Sequence, residues 1–153
     1  MAKQTIMIAH KDNDARRDIH NIISRFNFDI IYADDGIQGL ETAKYKKPDL
    51  IISEVDIPML DGIQMNLKIK EVSGMRDVPV ILLHDELDLT TLSKAKSVNA
   101  RAFLISPYID NSLIYAVKRA LGADQLQADT GHAPPSYESC RSKALSGFRY
   151  QYA

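Results

Sequence analysis

Five polar side chains stand where short apolar runs stop: His10, Lys11, Glu54, His84 and Ser106. In "PDLIISEVDIPMLDG" (48–62) an apolar run ends in Ser53 and Glu54, and Pro58 and Gly62 punctuate the residues after it. That is the pattern of a buried strand delivering a carboxylate to a sheet's edge. Three chemistries can be built from the five. His10, His84 and Glu54 form a two-histidine, one-carboxylate set of the kind that suits Zn²⁺ or Fe²⁺. Ser106 with His84 pairs a nucleophile with a base, although no strained nucleophile turn or oxyanion hole accompanies them. Lys11 with Glu54 is an ion pair. A cation at Lys11 opposes a metal ion beside it, so the ion pair is the expected arrangement, with no metal, no cofactor and no catalysis.

These positions converge only if the runs before them lie side by side. "TIMIA" (5–9), "DIIYA" (29–33), "DLIIS" (49–53), "VPVILL" (78–83) and "RAFLI" (101–105) each read as strands. Between them apolar residues recur at three- and four-residue spacing, the period of a helix with one buried face. Ile19, Ile22, Ile23 and Phe26 mark the first helix (14–26), and Ile37, Leu40 and Ala43 the second. Ile63 and Leu67 face inward from a third (62–72), and a fourth (89–98) carries Leu89, Leu92 and Ala95. Leu113, Ile114, Val117 and Leu121 mark the fifth, which Gly122 closes. Pro48 stops the second helix, and Asn99 sits where a left-handed cap is expected. Continuous apolar strands alternating with helices predict an α/β fold over 1–122: a doubly wound, five-stranded parallel sheet with five helices. The crevice of such a sheet lies outside the carboxyl ends of its strands, where all five polar residues fall.

The whole chain has 153 residues, a formal net charge of −1, 45% hydrophobic and 25% charged residues. That is an ordinary globular composition, and no global charge points to nucleic acid or an anionic membrane. No apolar run approaches the ~20 residues that span a bilayer, and "MAKQTIMIAH" lacks a signal peptide's apolar core. Cys140 is the sole cysteine, which excludes an intramolecular disulfide. A cytoplasmic protein is expected. After Gly122, residues 123–136 are small, polar and proline-containing, the composition of a flexible linker. Residues 137–153 form a basic, aromatic tail, too short for a DNA-binding domain with its own core and read as disordered. Within it "FRYQY" (148–152) alternates like a half-buried strand, which offers a second reading: addition to a sheet edge, on a partner or on this chain.

"PDLIISEVDIPMLDG", "VPVILLHD", "NARAFLISPY" and "ADDG" together resemble a response-regulator receiver domain, over about Thr5 to Leu121. The resemblance implies a flavodoxin-like topology and a cis Ser106–Pro107 bond. It also implies a pocket in which an acidic pair holds Mg²⁺, an Asp accepts phosphate from a histidine kinase, and a hydroxyl and a Lys grip the phosphoryl group. Here those positions hold His10-Lys11, Glu54, His84 and Ser106. The expectation is a degenerate receiver, or pseudo-receiver, acting in two-component-type signalling or localisation by protein–protein contact. Its partner would be a histidine kinase or another signalling protein, and it would be a monomer or weak dimer. Its partner face would be the fourth helix, fifth strand and fifth helix, including Phe103, Pro107 and Tyr108. The alternatives are a working receiver phosphorylated on Glu54 or Asp56, and a metal-binding protein or enzyme using His10, His84 and Glu54.

Overall fold

The structure, a computed structural model, describes residues 3–108 and 110–122 and the backbone of 149–151. The chain runs β1 (Thr5–Ala9), α1 (Asn13–Ile23), β2 (Asp29–Ala33), α2 (Gly36–Lys46), β3 (Leu50–Glu54) and α3 (Gly62–Lys70). It continues through β4 (Val80–His84), α4 (Leu89–Ala95), a single 3₁₀ turn (Lys96–Val98), β5 (Ala100–Ile105), α5 (Asp110–Leu121) and β6 (Arg149–Gln151). The sheet order is β2-β1-β3-β4-β5-β6. The first five strands pair parallel, as the alternation with helices predicts. The sixth pairs antiparallel with β5, placing Tyr150 opposite Leu104.

The five expected parallel strands are therefore joined by one antiparallel edge strand, and residues 149–151 follow the edge-addition reading of "FRYQY". An open edge presents unpaired N–H and C=O groups, and an alternating segment supplies partners for them. The rest of the linker and tail, including Cys140, lies outside the described residues.

Successive strand residues feed opposite faces of the sheet. Met7, Ala9, Ile51, Val80, Leu82, Phe103 and Ile105 join one cluster with Ala43 of α2, Met65 and Ile69 of α3 and Ala95 of α4. Ile6, Ile8, Leu50, Ile52, Ile81, Leu83 and Leu104 join the other with Ile19 and Ile23 of α1 and Leu113 and Val117 of α5. Both faces are therefore covered, and the centres of β1, β3, β4 and β5 are fully buried. Each of the first four helices starts on an aspartate cap: Asp12, Asp35, Asp61 and Asp88 accept backbone N–H bonds at α1 to α4. Asn99 ends the 3₁₀ turn in the left-handed region (φ 59°), where Asn is tolerated. Among the described residues no helix is long and apolar enough to cross a membrane.

The inward assignment of Leu67 does not hold. Ile37, Leu67 and Leu89 are exposed. On α2 the contact face is instead built on Gly36, Gly39 and Ala43. A Cβ on Gly39 would lie 2.3 Å from Met65 Sδ, so α3 fills the room that a glycine leaves. Close approach also dictates Gly62 at the start of α3, where a Cβ would lie 2.2 Å from the carbonyl oxygen of Glu54.

Candidate functional site

The order reverses between β1 and β3: β1 continues to β2 on one side and β3 leads to β4 on the other. Such a switch point splays the connecting loops and opens a crevice at the carboxyl ends. His10 comes directly after β1 there, and Glu54 ends β3. Register sets Ala9 beside Ser53 and Glu54 beside Leu83, so Glu54 lies between the ends of β1 and β4. Behind it, the Gly62 N–H donates to the Val55 carbonyl at 2.7 Å, which fixes the turn after β3.

Two groups meet the Glu54 carboxylate. Lys11 Nζ is 3.6 Å from Oε1, and His10 Nε2 is 3.2 Å from Oε2. Lys11 Nζ also donates to the Asp56 carbonyl at 2.9 Å, so its ammonium spans the strand end and the loop after it. The tautomer of His10 is set by its other nitrogen. The Asp12 backbone N–H, which can only donate, lies 3.0 Å from His10 Nδ1. Nδ1 must therefore accept, leaving the proton on Nε2, the nitrogen that faces Glu54. Burial pushes His10 below its ordinary pKa of 6.5; Asp12 opposes the shift, while Lys11 and Arg16 reinforce it. A neutral, Nε2-protonated imidazole agrees with both observations. Lys11 is then the cation that compensates Glu54. Burial pushes the Glu54 carboxyl up from 4.5, and Lys11 acts against that rise.

The sequence-predicted cluster is therefore partly assembled. His10, Lys11 and Glu54 come together. His84, buried at the end of β4, turns its Nδ1 elsewhere: 3.8 Å from Asp56 Oδ2 and 3.6 Å from Asp85 Oδ1. The two-histidine, one-carboxylate set of His10, His84 and Glu54 does not converge, because His10 already uses its two nitrogens on Glu54 and Asp12. Among the described residues the ligand-bearing side chains that do gather are Asp56, His84 and Asp85. Asp85 was invisible as a site residue because an exposed acid just after a strand is an ordinary loop residue.

Ser106 is exposed and is anchored by its backbone N–H, which donates to the His84 carbonyl at 2.8 Å. The next peptide bond, Ser106–Pro107, is cis, as the resemblance implies. Ser106, Pro107 and Tyr108 line a groove against α1 that includes Ala15 and Asp18. Burial, with Asp18, Asp110 and Glu54 assisting, pushes the Tyr108 phenol up to about 12. Phe103 needs correction as a surface residue. It is fully buried, edge-on to the His84 ring at 5.9 Å, because its strand position points into the cluster beneath α3 and α4. Pro107 is exposed and Tyr108 half-buried.

The response regulator receiver domain model matches residues 6–118. Transcriptional regulatory protein PdtaR of Mycobacterium tuberculosis is 28% identical over 117 residues, covering 76% of this chain and 56% of PdtaR. The chain thus spans little more than half the length of that relative. Protein PilG of Pseudomonas aeruginosa is 27% identical over 113 residues, covering 74% of this chain and 84% of PilG. Among solved structures, chemotaxis protein CheY4 of Vibrio cholerae superposes with a TM-score of 0.73 at 22% identity, over 78% of this chain and 100% of CheY4. With a matching model across most of its length and the same parallel sheet, this chain belongs to the response regulator receiver domain family of two-component signalling.

Proposed function

We propose that this domain is a phosphorylation-independent receiver, a pseudo-receiver that works as a protein–protein interaction module in two-component-type signalling or localisation. The observation that supports this is the Lys11 ammonium 3.6 Å from Glu54, at a sequence position where the resemblance implies a metal-holding acid. Mg²⁺ takes oxygen ligands at about 2.0–2.1 Å and favours carboxylates as anchors. The position after β1 offers an imidazole and an ammonium instead, and Asp12 is committed to capping α1, accepting from the Asp14 N–H at 2.9 Å. Phosphoryl transfer needs positive charge around the moving group. Ser106 places a neutral hydroxyl where the family has a Lys, and His84 stands where it has a hydroxyl. The pocket is electrically complete before any modification, so one conformation is held without a phosphoryl switch.

In this reading the domain acts by binding in the cytoplasm, to a histidine kinase or another signalling or localisation protein, as a monomer or weak dimer. The partner face lies along α4, β5 and α5, with Pro107 and Tyr108 at its edge and β6 already covering the β5 backbone. Titration of Mg²⁺ into isotope-labelled chain, monitored by amide shifts, tests the metal-free pocket. The expected result is no saturable shift at residues 10–12 or 54–56. A saturable Mg²⁺ shift there overturns the reading.

A further inference from the structure

His84 Nδ1 is buried and makes no hydrogen bond, yet it is aimed between two carboxylates. A polar nitrogen in that condition forfeits the hydrogen bonds that water would give it. Its side chain is 6% exposed, whereas those of Asp56 and Asp85 are 58% and 78% exposed and free to swing. One atom from each of the three residues lies within 4.8 Å of the others. Four-coordinate Zn²⁺ with ligand distances near 2.0 Å needs its ligand atoms only ~3.3 Å apart. Rotation of two exposed aspartates over about an ångström closes that gap while the buried imidazole stays fixed.

We propose that Asp56, His84 and Asp85 form a divalent transition-metal site for Zn²⁺, at the mouth of the receiver pocket and independent of Glu54. Two carboxylates balance the charge of a dication, and a neutral imidazole supplies the nitrogen that sets zinc apart from Mg²⁺ and Ca²⁺. Three protein ligands leave a fourth position for water or for a donor from a partner. Lys11 does not compete for these side chains, since its ammonium contacts the Glu54 carboxylate and the carbonyl, not the carboxylate, of Asp56. Packing of the His84 ring against Phe103 fixes the ligand's orientation, which reduces the entropy lost on binding.

The site is tested by calorimetric titration of Zn²⁺ into the full chain carrying Cys140→Ser and His132→Ala, which remove tail ligands. Co²⁺ absorption serves as a geometric probe. The expected result is one equivalent of Zn²⁺ with a four-coordinate Co²⁺ spectrum. The Asp56→Asn/Asp85→Asn pair lies on the surface and leaves the core intact; it should weaken binding at least about tenfold, as should His84→Gln. Glu54→Gln should leave Zn²⁺ affinity within about twofold, and excess Mg²⁺ should not displace the ion. Absence of stoichiometric Zn²⁺ binding, or equal affinity in the double aspartate variant, overturns the proposal. Loss of Zn²⁺ binding on Glu54→Gln overturns the independence of the two sites. The metal-free reading of Glu54 is tested separately by Mg²⁺, so either proposal can fail alone.

Discussion

At the residue scale, the account turns on one carboxylate and its two neighbours. Glu54 is 16% exposed at its side chain and Lys11 is 52% exposed. A fully buried pair broken on one side costs about 3–5 kcal/mol, but half of the Lys11 side chain sees solvent, which screens the attraction. A double-mutant cycle with Lys11→Met and Glu54→Gln should therefore show a coupling energy of about 1 kcal/mol. Strictly additive effects in urea unfolding would mean that the two charges do not hold each other. His10 carries a different signature. Its folded pKa lies below 6.5, so the neutral form favours the fold. That contribution is full above the unfolded value and is lost as pH falls through the lower, folded one. As pH falls below about 6.5, stability should decline more steeply in the wild type than in His10→Gln. Gln keeps an acceptor for the Asp12 N–H and a donor for Glu54 without titrating. Parallel acid limbs in the two proteins would contradict the neutral assignment.

At the element scale, close contacts rather than propensities position the pocket. Gly62 opens α3 directly behind Glu54, and its missing Cβ would press on main-chain carbonyl oxygen, which cannot swing aside as a side-chain tip can. Gly62→Ala should cost about 1–3 kcal/mol and shift the amide resonances of residues 53–56. An unchanged unfolding midpoint would show that the approach is looser than the structure has it. The elements themselves were legible in the sequence, because each strand is an apolar run and each of the first four helices has an aspartate ahead of it. What was not legible is which side of a short helix faces in. Ile37, Leu67 and Leu89 satisfy helical spacing, yet the sheet is met by glycine and alanine on α2, a preference that depends on Met65 of a different helix. The sixth strand is a similar case. Alternation in "FRYQY" announces strand capacity, but the choice of the β5 edge is a long-range one.

At the scale of the whole molecule, the parallel sheet and its switch point are those of a receiver, while in the proposed reading the polar positions at the strand ends have changed chemistry. Position was readable because strand ends fall at the same crevice whatever residues they bear. Partnership was not: the sequence placed His84 with Glu54, and the structure gives it to Asp56 and Asp85. If only the side chains have changed, the scaffold should accept the family's set again. The most direct measurement is intact mass after incubation with a small acyl-phosphate donor and Mg²⁺. It is made on the wild type beside a variant carrying His10→Asp, Lys11→Asp, Glu54→Asp, His84→Thr and Ser106→Lys. The account predicts no mass change in the wild type and a gain of one phosphoryl group in the variant. A phosphoryl adduct on Glu54 of the wild-type chain would contradict it.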